Sequence, residues 1–188
     1  MSEKILTIDK DAFSSGQIGS KIWLCENLEK VYSGIENILV LGGWLGLTSF
    51  LLLSRGNLEI KQIKSLDIDP TCEPLADALN ENWKWQDWKF KAYTHDCNKK
   101  HEFIDWADLI INTSTEHFDS LDWWENIPKN KLVALQGADM DHADHIFKFS
   151  SLNDFCHTFK MQGVDYVGEN EFKYPDWSFK RFMIIGTK

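Results

Sequence analysis

The stretch ILVLGGWLGLTSFLLLS, Ile38 to Ser54, constrains the fold more than any other part of the sequence. It carries no charge, yet it falls short of the roughly 20 residues a membrane span needs, and three glycines sit near its start. Ile38 to Leu41 is a short, continuous apolar run. A strand reads this way when helices cover both faces of a parallel sheet, because neither face then meets water. Gly42-Gly43 turns the chain. Residues 44–54 are apolar nearly all round, as a helix packed between sheet and outer structure would be. A buried strand, a tight turn and a buried helix together open an α/β sheet.

The rest of the chain repeats that alternation. Residues 17–33 place Ile18, Ile22, Leu24 or Cys25, Leu28 and Val31 at helical spacing, with Ser20 either capping or interrupting that helix. Ile63 to Ile68 reads as a second strand, stopped by Pro70, with Thr71 capping a helix over 72–82. Third, fourth and fifth strands are expected at Lys89 to Tyr93, Ala107 to Ile111 and Lys131 to Leu135. A short helical turn is expected at Asp122 to Asn126, and another turn at Pro128 to Asn130. Ser151 caps a helix over 152–161 that Gly163 ends. Val164 to Phe172 and Phe179 to Gly186 are extended, with Pro175-Asp176 between them, so the last two strands form an antiparallel hairpin. The 188 residues suit one domain, with an N-terminal helical segment at about 12–34. The expected fold is α/β, a three-layer Rossmann-like sandwich. Its mostly parallel seven-stranded sheet has one antiparallel strand near the C-terminus.

Charge and cysteine usage exclude some partners. The net charge is −9, and the longest basic cluster is Lys99-Lys100-His101. A broad grip on nucleic acid needs clustered cations that displace counterions, so nucleic acid is disfavoured as a partner. Cys25, Cys72, Cys97 and Cys156 form no Cys-x-x-Cys pair and match no zinc spacing. Free thiols point to a reducing compartment. The start, MSEKILTIDKD, is charged and lacks an apolar signal core. The expected location is cytoplasmic, without membrane association, and nothing in the sequence speaks to oligomeric state. The nine Trp include Trp83, Trp85, Trp88, Trp106, Trp123 and Trp124, mostly expected in packing. Trp123 and Trp124 follow a polar run and are also candidates for a pocket wall.

Three features fall just past the carboxyl ends of strands, where open α/β sheets bind ligands. LGGWLG, residues 41–46, lets the backbone approach a ligand and offers free amides at a helix N-terminus, or is a plain tight turn. SLDIDP closes strand two, and Asp67 follows Gly46 at the roughly 20-residue spacing of a ribose-binding acid. Alternatively, Asp67 or Asp69 caps the next helix. In THDCN, after strand three, Asp96 can accept from an exocyclic adenine amine and the Cys97 amide can donate to the ring; the alternative is a solvated loop acid.

Gly loop, two acids and reversed strand together resemble the class I S-adenosylmethionine (SAM)-dependent methyltransferase family over about residues 35–188. The resemblance implies SAM as cofactor and strand order 3-2-1-4-5-7-6. It implies that Gly42, Gly43 and Gly46, with Trp44 in their loop, hold SAM, Asp67 its ribose, and Asp96 and Cys97 its adenine. Asn112, at the end of strand four, is counted with them. Val40 stands where the family often has an acid, and Trp44 replaces the middle loop glycine. Gln17, Ser20 and Lys21 are candidates to replace the missing contact at the methionine end, with Lys21 suited to the carboxylate. Otherwise they form a solvated helix face. A nicotinamide cofactor fits less well, because Trp44 occupies the approach that a pyrophosphate needs.

The acceptor side follows strands four and five. In NTSTEHF, Thr113 and Ser114 are substrate candidates, and Glu116 and His117 are the acid/base candidates. In LQGADMDHADH, Gln136, Asp139 and His142 are candidates to face substrate. That run also groups Asp139, Asp141, His142, Asp144 and His145, but it lacks a zinc-hydrolase signature, and no metal ligands are assigned. The reading is a methyltransferase acting on an unidentified, small-molecule acceptor. Its alternatives are a SAM-binding module without turnover, motivated by Val40 and Trp44, and a metal-dependent hydrolase using residues 139–145.

Overall fold

The computed structural model describes residues 9–84 and 88–188; Trp85 and the charged start before Asp9 lie outside them. Strands β1 (Asn37–Leu41), β2 (Gln62–Asp67), β3 (Phe90–Thr94), β4 (Leu109–Asn112), β5 (Leu132–Ala138), β6 (Gly163–Lys173) and β7 (Ser178–Thr187) form one sheet. Helices α1 (Ser15–Val31), α2 (Leu47–Arg55), α3 (Cys72–Leu79), α4 (Glu81–Lys84), α5 (Phe103–Trp106), α6 (Asp122–Glu125) and α7 (Leu152–Thr158) connect and flank them. The order is β3-β2-β1-β4-β5-β7-β6, as expected. β1 to β5 run parallel, and β7 is antiparallel to both β5 and β6.

Both sheet faces are covered, which is why β1 is apolar at consecutive positions. Ile38 and Val40 pack with Leu24 and Leu28 of α1, Leu52 of α2 and Ala76 of α3. Leu39 and Leu41 point to the other face, into a cluster with Trp123, Phe155, Phe159 and Phe182. Each large apolar side chain buried this way contributes roughly 1.5–3 kcal/mol. Trp123 and Trp124 are core residues here, packed on Phe159, and neither lines either of the two recesses described below.

Local chemistry moves several element ends. Helix α2 begins at Leu47, because Trp44 (φ 46°) and Gly46 (φ 74°) are both left-handed. The helix expected over 72–82 breaks at Asn80, whose side-chain amide donates to Ala76 O at 3.0 Å and Gly46 O at 3.2 Å, joining α3 to the loop after β1. Asp69, not Thr71, makes the polar turn before α3: its Oδ1 accepts from both the amide and the hydroxyl of Thr71. Ser20 neither caps nor interrupts α1. Ser14 caps it, accepting from Gln17 N at 3.3 Å, while Ser20 is buried within it. Ser151 caps α7 as expected. That helix already ends at Thr158, and Gly163 instead opens β6. Among the described residues no helix is long and apolar enough to cross a membrane.

Candidate functional site

A cavity of about 820 Å³ opens over the carboxyl ends of β1, β2, β4 and β5. That is within the roughly 300–1,000 Å³ typical of small-molecule sites. A more open recess of about 490 Å³ lies at the other edge, by Asp108 and Lys131. Asp108 there accepts from Asn37 N at 2.8 Å, and Lys131 donates to Ala107 O at 2.6 Å. The larger cavity gathers most of the sequence candidates and is the candidate site.

One wall is made by the loops after β1, β2 and β3. Gly42 (φ 61°) lines it at the turn out of β1. Gly43 donates to Leu66 O at 2.9 Å, and a Cβ on it would lie 1.8 Å from Ser65 Oγ, so only glycine fits there. Trp44 holds a left-handed conformation that costs a side-chain residue roughly 1–3 kcal/mol. The Asp67 carboxylate secures it. Its Oδ2 accepts from Trp44 N at 2.8 Å and its Oδ1 from Asp69 N at 3.0 Å. A carboxylate has about four acceptor directions, so these two bonds do not exhaust it. Asp96 turns its loop by accepting from Asn98 N at 3.1 Å and also pairs with Lys99 at 3.4 Å. Burial pushes the Cys97 thiol up to about 12, so Cys97 offers shape rather than a nucleophile.

The opposite wall is charged and buried. The turn at Thr115–His117 brings Glu116 against Arg181 of β7, Nη1 to Oε1, with both side chains under 10% exposed. Lys21, also buried, reaches the same region from α1 and donates to Gln17 Oε1. Burial, reinforced by Arg181 and opposed by Glu116 and Asp11, lowers its pKa from 10.5 to about 7. Burial likewise lowers the pKa of His145. The β6–β7 hairpin borders the cavity with stacked rings, Tyr174 on Trp177 at 4.4 Å between centroids. It is tied to α1, because Tyr174 Oη accepts from Gly16 N at 3.1 Å.

The sequence candidates divide accordingly. Gln17, Lys21, Gly42, Gly43 and Trp44 line the cavity, as do Asp67, Asp96 and Cys97. So do Thr113, Ser114, Glu116, His117 and His142. Gly46, Asn112 and Gln136 do not. Gly46 packs on Ala76 and Asn80, where a Cβ would meet Asn80 Nδ2 at 2.7 Å, so it serves helix packing. Asn112 is fully buried and accepts from Ser114 N at 2.9 Å. Gln136 is fully buried and donates to Ser20 O at 2.9 Å. The 139–145 cluster disperses: Asp139 accepts from Lys180 N at 2.7 Å, and Asp141 pairs with Lys148. Arg181 is the residue that sequence reasoning missed. Its signal was a single guanidinium beside the apolar run FMIIG.

No family model and no curated protein sequence matches the chain. Solved structures do. The N-methyltransferase NodS from Bradyrhizobium japonicum WM9, in complex with S-adenosylhomocysteine, is 11% identical at TM-score 0.64, covering 92% of this chain and 88% of its own. The magnesium protoporphyrin IX methyltransferase from Synechocystis PCC 6803 with bound SAM is 9% identical at TM-score 0.64, covering 98% and 86%. The chain has the class I SAM-dependent methyltransferase fold. The YcgJ protein from Bacillus subtilis, 11% identical at TM-score 0.63, covers 89% of this chain and 98% of its own. At these identities the methyltransferase fold is what is shared, and the chemistry has to be argued from the cavity.

Proposed function

We propose that the chain binds SAM along the Gly42–Asp67–Asp96 wall and transfers its methyl group to a small-molecule acceptor held against the opposite wall. The observation that carries this is Asp67. Its two amide bonds leave the carboxylate able to accept further, beside a glycine turn, at the edge of a cavity large enough for a nucleoside. Two adjacent ribose hydroxyls are a pair of donors that such a carboxylate can take. The residues present thus fit the cofactor.

SAM supplies a methyl group already activated on a sulfonium, so the protein needs mainly to align and exclude water. Gly43 lets the loop backbone come close. Asp96 and Cys97 flank the adenine. Lys21 and Gln17 face the methionine end, where buried Val40 offers no polar group. His117 lines the acceptor side of the cavity, and its Nδ1 donates to Asp144 O, which leaves the lone pair on Nε2. Glu116 is held by Arg181 through Oε1, which argues against its acting as a base.

Calorimetric titration with SAM and with S-adenosylhomocysteine tests the reading. Saturable binding is expected. Asp67→Ala should weaken it on the order of 100-fold, the loss of charged hydrogen bonds worth about 3 kcal/mol together. No binding of either ligand at millimolar concentration would overturn the proposal. A SAM-binding module without turnover, the reading Val40 favours, would bind both ligands but convert SAM on no amine, hydroxyl or carboxylate acceptor.

A further inference from the structure

We propose that Glu116, His117 and His145 form a site for a first-row transition-metal dication at the acceptor end of the cavity. The three residues offer one ligand atom each within 4.8 Å of one another. Their convergence is built by the backbone. Ile146 N and Phe147 N both donate to Glu116 O, at 2.8 and 3.1 Å, which pins the loop after β5 beside the Thr115–His117 turn.

The histidines are preset as ligands. His145 Nδ1 lies 2.8 Å from Met140 O, and His117 Nδ1 lies 3.2 Å from Asp144 O. A carbonyl can only accept, so each Nδ1 carries the proton and each Nε2 keeps its lone pair. Metal-bound histidines are held in this way, with the second ring nitrogen donating to a carbonyl or carboxylate. Glu116 completes the set. It is 1% exposed, Arg181 occupies its Oε1, and its Oε2 has no hydrogen-bond partner. A buried carboxylate oxygen without a partner is costly, and a cation is the partner it lacks. Arg181, on the other oxygen, fixes the carboxylate's rotation as an outer-shell group does.

Charge favours a cation as well. Seven carboxylates line the cavity, against Lys21 and Arg181 as its ammonium and guanidinium groups. Lys21, with its pKa near 7, is only partly charged at neutrality. Two imidazoles and one carboxylate select Mn²⁺, Fe²⁺, Co²⁺ or Zn²⁺ over Mg²⁺ and Ca²⁺, which prefer oxygen alone. Such a set leaves coordination positions open. His117 is on the exposed side, so an acceptor oxygen or nitrogen can reach them from the cavity.

The site does not depend on SAM binding, so the two proposals can fail separately. The full chain is titrated with Co²⁺, followed by visible absorption, and with Zn²⁺, followed by calorimetry. Saturable binding of one ion per chain with a ligand-field spectrum is expected. His117→Asn, on the surface, and His145→Gln should each weaken it at least ~10-fold, with an unchanged circular dichroism spectrum and urea-unfolding midpoint as proof of folding. Asp141→Asn, in the same loop but paired with Lys148, should leave it unchanged. Absence of saturable Co²⁺ and Zn²⁺ binding at millimolar ion, or binding that neither histidine variant weakens, would overturn the proposal.

Discussion

On the Gly42 side of the cavity, polar side chains bond to backbone amides at most one strand away: Asp67 to Trp44 across 23 positions, Asp96 to Asn98 across two. On the Arg181 side, side chain meets side chain across 65 positions, and both groups are buried. The first wall is a property of loops that the sheet would hold in place with many side chains. The second exists only when β4, β5, β7 and α1 have all docked. Its buried charges add little net stability, since taking ions out of water cancels most of their attraction. They fix geometry, and they make that side of the site fragile.

This asymmetry can be broken experimentally. Glu116→Ala should have the largest effect, about 3–5 kcal/mol of lost stability in urea unfolding, because it strands a buried guanidinium. Glu116→Gln with Arg181→Met should recover most of that loss; no recovery would mean that the pair matters for packing rather than charge. Lys21 gives the next effect, read against pH. Its folded pKa of about 7 lies below its unfolded 10.5. Below about pH 7 both states hold the proton and the full cost of burial is present. Between about 7 and 10.5 the unfolded chain binds the extra proton, so stability rises with pH, on the order of a few kcal/mol in total. Lys21→Met should flatten that rise in unfolding curves across the window. Gly43→Ala probes the first wall, at about 1–3 kcal/mol for a Cβ forced into an occupied space. Ser65→Ala should relieve much of it, as Ser65 Oγ is the atom it strikes. A Gly43→Ala loss exceeding that of Glu116→Ala would reverse the comparison.

The same asymmetry explains what the sequence disclosed. The strands themselves were legible in apolar runs and turn residues, and Asp67 in its distance to Gly46, because these signals are local; the strand order came only with the resemblance to the methyltransferase family. Asn112 and Gln136 were misplaced because alternation along a strand does not say which polar group is sealed beneath a loop. Arg181 escaped because its partner is 65 positions away. The pairing of His117 with His145 escaped for a similar reason: it depends on Glu116 O accepting two amides from the loop after β5, a bond that leaves no mark on composition.

The placement of β7 between β5 and β6 has a consequence for synthesis on the ribosome. When β1 to β5 have emerged, the Gly42 wall can assemble, but β5 is still an open edge ready to pair with another chain. Arg181, which closes that edge and meets Glu116, is translated long after them. A nascent chain therefore gains the Gly42 wall of its cavity before the Arg181 wall, and its exposure to misassociation ends with the same strand that completes the cavity.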